Sequence, residues 1–142
     1  GLDAERYDVV INGVEVTEER AEAYDFSDPY AYIRTAIIVN GDNTDINSFE
    51  DLDGKTTANT LASTYATLAE VTYYDYMNQH PDANLKIAAL TDEASLVCIP
   101  TRKGDDSASL REAINQAIAE LSESGQLSEL SEKYFGSDIS HE

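Results

Sequence analysis

Arg20 closes the stretch of this chain best equipped for chemistry. Asp8-Val9-Val10-Ile11-Asn12-Gly13-Val14-Glu15-Val16-Thr17-Glu18-Glu19-Arg20 passes from an apolar segment through a polar turn into a short acidic one, and Asp25-Phe26-Ser27-Asp28-Pro29-Tyr30 follows. The chain carries 9 Lys plus Arg against 28 Asp plus Glu. An arginine in that company either pairs with a neighbouring carboxylate, with Glu18, Glu22 and Asp25 nearby in sequence, or offers its planar fork to a carboxylate from outside. A free amino acid supplies such a carboxylate, together with an ammonium that needs carboxylate or carbonyl acceptors. Ser63-Thr64 is a second anion candidate, because it opens a helix after a strand and so presents backbone N–H groups and the positive end of the helix. An ordinary N-cap explains a serine there equally well.

These residues need elements to hold them. Residues 7–16 begin as a continuous apolar run, which suits a strand buried on both faces, as in a parallel sheet. Thr17 can cap a short acidic turn over residues 18–21, and Pro29 closes the segment. Residues 35–39 read as a strand. Ser48 fits an N-cap with Asp51 three residues on, a variant of the capping box, and Gly54 ends that turn. Residues 55–59 are a threonine-rich strand candidate. A helix follows over residues 64–70 and runs into another over residues 71–79, stopped by Pro81. Tyr73, Tyr76 and Met77 on it read as packing contacts. Residues 86–89 and 95–99 read as short strands. Leu110, Ala113, Ile114, Ala117, Ile118 and Leu121 recur at helical spacing and predict one core-facing stripe, with Ser107 or Ser109 as cap and Gly125 as stop. Leu127, Leu130, Tyr134 and Phe135 predict a last helix closed by Gly136.

Composition narrows the function classes. At 142 residues the chain can bury a workable core, and no segment is long and apolar enough to span a membrane as a helix. A net charge of −19 argues against nucleic acid and anionic membrane surfaces as partners. The single Cys98, inside an apolar strand, reads as a buried structural thiol. His80 and His141 lie far apart, with His141 near a fraying end, so no metal site and no cofactor are expected. Neither a Ser-His-Asp order nor a glycine-rich phosphate loop is present, and no catalytic residue is assigned.

In order and spacing, the Asp8-to-Tyr30 stretch resembles the extracytoplasmic solute-binding proteins of amino-acid ABC transporters (solute-binding protein family 3). Asp8, Thr17, Glu19, Arg20, Asp25, Phe26, Ser27, Pro29 and Tyr30 fill that family's pattern. Phe49-Glu50-Asp51-Leu52-Asp53-Gly54-Lys55 is similar to its hydrophobic-x-D-L-x-G-K, and Lys133-Tyr134-Phe135-Gly136 to its K-Y-F-G.

The resemblance implies an α/β, two-lobed clamshell of the periplasmic-binding-protein type II class. Residues 1–32 would end the first part of lobe one, 33–99 would form lobe two, and 100–142 would return to lobe one. The strands at 35–39 and 95–100 would carry the hinge. Against that plan part of lobe one is missing, and a gap in lobe two falls near Glu70-Val71, where a further strand–helix–strand unit is expected. The implied ligand residues are Arg20 for a carboxylate, Ser63 and Thr64 opposite it, and the turn Asn12, Gly13 and Glu15. Gly13 permits close backbone approach. Glu15 stands where a small hydroxyl residue is common; it either meets the ammonium or is a solvated surface charge. Glu70 holds the ammonium if the gap lies before Ala69, and is a helix-surface charge if the gap lies after it.

The function implied is capture of a polar amino acid, or close derivative, and its delivery to a membrane permease. The setting would be the periplasm, or the cell surface as a lipoprotein in a Gram-positive bacterium. Any membrane attachment would come from a lipid anchor, and any export signal would already have been removed: Gly1-Leu2-Asp3-Ala4-Glu5 has neither a basic start nor an apolar core. Two other readings share the architecture: an amino-acid-processing enzyme of the dehydratase type, and an extracellular ligand-sensing module.

Overall fold

The computed structural model of the chain describes residues 1–56 and 68–142. These fall into two compact units. The first holds Gly1–Tyr32, Ser95–Glu132 and Asp138–Glu142; the second holds Ile33–Ala94 and Lys133–Ser137.

In the first unit, α1 (Glu18–Ala23) leads directly into strand β1 (Tyr24–Phe26), and β2 (Ala31–Ile33) ends at the boundary. β6 (Ser95–Val97) and β7 (Pro100–Arg102) supply their partners, β2 with β6 and β1 with β7. β1 and β7 are antiparallel, with Asp25 opposite Thr101. The fully buried Val97 and Thr101 mark this as the centre of the unit, joined by Cys98, Ile99 and Ala31. Ser27 is buried with them and is satisfied twice: its N–H donates to the Ile99 carbonyl and its Oγ accepts the Ile99 N–H at 2.9 Å.

Residues 7–16 do not form the doubly buried strand that their apolar run suggests. They run beside the 96–101 segment through antiparallel bridges at Val9–Thr101 and Glu15–Val97, with Val16 donating to Leu96 and Cys98 donating to Val14. Between the two bridges the chain swings outward at Ile11, Asn12 and Gly13, all exposed, with Gly13 at φ +56°. The left-handed glycine breaks the ladder, so apolar side chains at 9–11 cannot all be covered.

Helix α3 (Ala108–Glu123) and the larger part of α4 (Gln126–Phe135), up to Glu132, complete this unit. α3 follows a 3-10 turn, and α4 follows Gly125, which takes φ +76° as a helix stop. The apolar stripe expected to be core on α3 is only partly covered. Leu110 and Leu121 remain exposed, and the better covered side carries Arg111, Ile114, Asn115, Ile118 and Ser122. Polar contacts set this rotation: Arg111 pairs with Asp25 at 3.1 Å, and Asn115 Oδ1 accepts the Asp28 N–H at 2.8 Å. Ser107 occupies the N-cap position of α3 but makes no side-chain cap bond.

The second unit is a three-stranded antiparallel sheet in the order β4-β3-β5, with helix α2 beside it. β3 (Thr35–Asn40) is the inner strand, and β5 (Leu85–Leu90) pairs along it with an irregularity between Ile37 and Ile38. β4 (Leu68–Ala69) corrects the expectation of helix through residue 70. Leu68 and Ala69 pair with Ala36 and Thr35, and the ladder overrides local helix preference. α2 (Glu70–Gln79) starts immediately afterwards. The expected strand at 55–59 and the helix opened at Ser63 fall mostly on residues 57–67, outside the described residues. β3 is also not a crossing between units: the chain passes from one to the other between Tyr32 and Ile33, and back between Ala94 and Ser95.

The 3-10 turn Glu50–Leu52 is held by the reverse arm of the anticipated capping pair. Asp51 Oδ2 accepts the N–H groups of Asn47 at 2.9 Å and Ser48 at 3.0 Å. These bonds, Asn47 first, hold the Asp51 carboxyl below its ordinary pKa.

Candidate functional site

Arg20 is positioned by a capped, six-residue helix. Thr17 Oγ1 accepts the Arg20 N–H at 3.3 Å, and Glu18 and Glu19 occupy the first turn, where negative charge suits the helix start. At the far end the Tyr24 N–H closes onto the Arg20 carbonyl. The guanidinium turns back to the preceding turn, where Nη1 donates to the Glu15 carbonyl oxygen at 2.7 Å. That bond uses one of the five donors of the fork. Among the described residues no carboxylate forms an ion pair with Arg20, in contrast to Arg102 with Asp8 and Arg111 with Asp25. Asp25, a nearby acid in sequence, is already engaged: its Oδ2 accepts from Arg111 and from the Gly104 N–H, both at 3.1 Å. Arg20 also edges an open depression of about 230 Å³ shared with Val10, Val14, Tyr24, Phe26 and Pro100.

The turn before it is held at both ends and open in the middle. Glu15 bridges to Val97 through the backbone. The Gly13 N–H donates to the Tyr30 hydroxyl at 3.3 Å. Burial pushes that hydroxyl above its ordinary pKa, and the Gly13 bond partly offsets the shift. Asn12 is exposed and makes no side-chain hydrogen bond among the described residues. The structure therefore brings Asn12, Gly13, Glu15 and Arg20 onto one turn–helix entry of the first unit. Ser63 and Thr64 lie outside the described residues. Glu70 is the first residue of α2 in the second unit.

Sequence reasoning left three supports unused. Tyr30 was read only as part of a motif, yet it ties the site turn to the segment before β2. Arg111 and Asn115 lie outside the predicted stripe, among several other polar residues of the same helix, so nothing in the sequence singled them out. Cys98 is the buried structural thiol that was anticipated. It is 2% exposed, and burial together with the nearby Asp28 charge pushes it from 9.0 to about 11. His141 is exposed, and its Nε2 lies 3.2 Å from Ser128 Oγ. Among the described residues no cluster of His, Cys, Asp and Glu could hold a metal ion, and none of their helices is long and apolar enough to cross a membrane.

Two α/β units on one chain that passes repeatedly between them, with an arginine exposed where the chain enters a short helix, match the architecture of the two-lobed solute-binding proteins of periplasmic type II. The chain belongs to the bacterial extracellular solute-binding proteins, family 3, whose sequence profile matches residues 1–137.

Among similar proteins, the probable amino-acid-binding protein YxeM of Bacillus subtilis is 36% identical, with 99% of this chain and 66% of that protein covered. The L-cystine-binding protein TcyA of the same organism is 34% identical, over 99% and 63%. The unliganded, open L-cystine solute receptor of Neisseria gonorrhoeae matches in structure with a TM-score of 0.74 and 31% identity, over 100% of this chain and 73% of that one. The chain thus spans slightly under two thirds of the length of these two Bacillus relatives. The alignment with YxeM runs over 175 positions against a chain of 142, so at least 33 positions of that relative have no counterpart here.

Proposed function

We propose that this chain is the solute-binding part of an amino-acid importer, capturing a polar amino acid or a close derivative and delivering it to a membrane permease. The observation that carries this reading is Arg20, fixed to the Glu15 carbonyl and left without a carboxylate partner among the described residues, in a chain with a large excess of acids. Its remaining donors take the ligand α-carboxylate. The Gly13 turn lets the backbone come close, and Asn12 and Glu15 are offered for the ammonium. Ser63-Thr64 supplies further donors to the carboxylate, and Glu70 a second acidic partner for the ammonium. The first unit, residues 1–32, 95–132 and 138–142, corresponds to lobe one of the two-lobed plan and the second, residues 33–94 and 133–137, to lobe two, which moves the expected 33–99 and 100–142 bounds. The protein works outside the cytoplasm, in the periplasm or as a cell-surface lipoprotein, and needs no covalent chemistry and no cofactor. Support comes from membership of an extracellular binding family and from relatives named for amino-acid and L-cystine binding.

The test is calorimetric titration of the protein with the twenty amino acids and L-cystine. Saturable binding to one ligand or a small set of polar ligands is expected. Absence of binding to all of them would overturn the reading.

A further inference from the structure

The depression beside Arg20 lies wholly within the first unit, where stretches of chain far apart in sequence meet at residues 1–2, 10–14, 20–26 and 100. Its walls are fixed. Leu2 is 5% exposed, and its carbonyl accepts the Glu5 N–H at 3.0 Å. The Val10 N–H donates to the Pro100 carbonyl at 3.4 Å, and the Arg20 side chain holds the Glu15 carbonyl at 2.7 Å. The space measures about 230 Å³. Pockets for drug-sized ligands run from about 300 to 1,000 Å³, so this one suits a side chain rather than a larger solute.

The lining is chemically one-sided. Its side chains are apolar except for Arg20 and Tyr24. The Tyr24 hydroxyl is already engaged, donating to Asp3 Oδ2 at 2.9 Å. Arg20 gives one donor to Glu15 and forms no ion pair among the described residues. In a chain of net charge −19, that guanidinium draws a carboxylate. What then remains for the rest of the ligand is the wall of Val10, Val14, Phe26 and Pro100. An amide or a second charge laid against that wall leaves water without finding a partner, which costs affinity. A methylene or sulfur stem has no such cost, and sulfur gains from lying against the rings of Tyr24 and Phe26. Because the depression is open, a long side chain keeps its far end in water.

We propose that this depression receives the side chain of the amino acid held at Arg20, and that it selects unbranched side chains of the thioether or disulfide kind over amide and charged ones. The proposal rests on the reading of Arg20 as the carboxylate site. It narrows the ligand to an amino acid that is polar at its ends and apolar along its stem.

The test is calorimetry on the parent protein, Val10→Thr and Phe26→Leu, with methionine, L-cystine, glutamine and glutamate. Methionine and glutamine are close in length and shape, so their ratio isolates the lining. At least one of methionine and L-cystine should bind the parent about tenfold more tightly than glutamine and glutamate. Val10→Thr keeps the shape of the wall and adds a hydroxyl, and Phe26→Leu removes a ring. Each should shrink that preference about threefold or more, with glutamine affinity unchanged. If one variant fails to fold, the other carries the same readout. Glutamine or glutamate binding the parent as tightly as methionine and L-cystine would overturn the selection and leave the Arg20 reading standing. A preference that stays the same in both variants would overturn it as well. A parent that binds no amino acid would overturn the Arg20 reading and this proposal with it.

Discussion

Arg20 and Cys98 sit in opposite environments, one exposed and one buried. Arg20 keeps most of its donors because the nearby Asp25 is spent on Arg111 and Gly104. Replacing it with lysine keeps the charge but removes the fork, so Arg20→Lys should bind ligand more weakly than the parent and more tightly than Arg20→Ala, read by calorimetry. Cys98 is the opposite case: its thiol lies inside the unit and is pushed up to about 11, so almost no thiolate exists near neutral pH. Its modification by a disulfide reagent should be slow until the protein unfolds. The linkage sign follows from the raised value. The stability Cys98 contributes is fully present below about pH 9, its unfolded value, and is lost as pH rises through about 11. Cys98→Ser should flatten that alkaline part of a stability profile measured by urea unfolding. The motif singled out Arg20 as the candidate that calorimetry tests, and the burial of Cys98 was legible in the sequence from its apolar run. Tyr30 was not, because nothing local says that a tyrosine seventeen positions away will take the Gly13 amide.

Secondary-structure elements were legible where side-chain period alone decides them, and not where long-range pairing does. α3, α4, β3 and β5 come directly from spacing, and Thr17 caps α1 as its type suggests. The apolar run at 9–11 failed as a strand because Gly13 turns the chain out of the ladder at φ +56°. With no side chain or backbone near a Cβ at that position, Gly13→Ala would meet no clash, and its effect is that of the left-handed conformation alone. It should lower stability by about 1 kcal/mol, measured by chemical unfolding. α3 is set by Arg111 and Asn115 rather than by its leucines. Arg111→Met keeps the stem and removes the charge-assisted bond to Asp25, and should cost about 1–2 kcal/mol, discounted because both side chains are a quarter or more exposed. An unchanged unfolding midpoint would show that the leucine side holds the helix after all. The two-residue strand β4 is the clearest case beyond local reading: Leu68-Ala69 has no strand signature, and only its pairing with Ala36 and Thr35 makes it one.

At the scale of the molecule, the net charge of −19 and the two-unit division fit a receptor for small solutes better than a partner for polyanions. A ligand that binds only the folded chain must also stabilise it. At a hundredfold excess over its dissociation constant it should raise stability by about 2.7 kcal/mol, visible as a rise in melting temperature. The central claim is that Arg20 receives the α-carboxylate of an amino acid. The most direct measurement is calorimetry with the best ligand of the panel and its decarboxylated amine, each against the parent protein and Arg20→Ala. The account predicts that losing either the carboxylate or the guanidinium weakens binding by about 2 kcal/mol or more, roughly 30-fold, and that losing both costs little beyond losing one. Tight binding of the amine by the parent, or of the amino acid by Arg20→Ala, would contradict it.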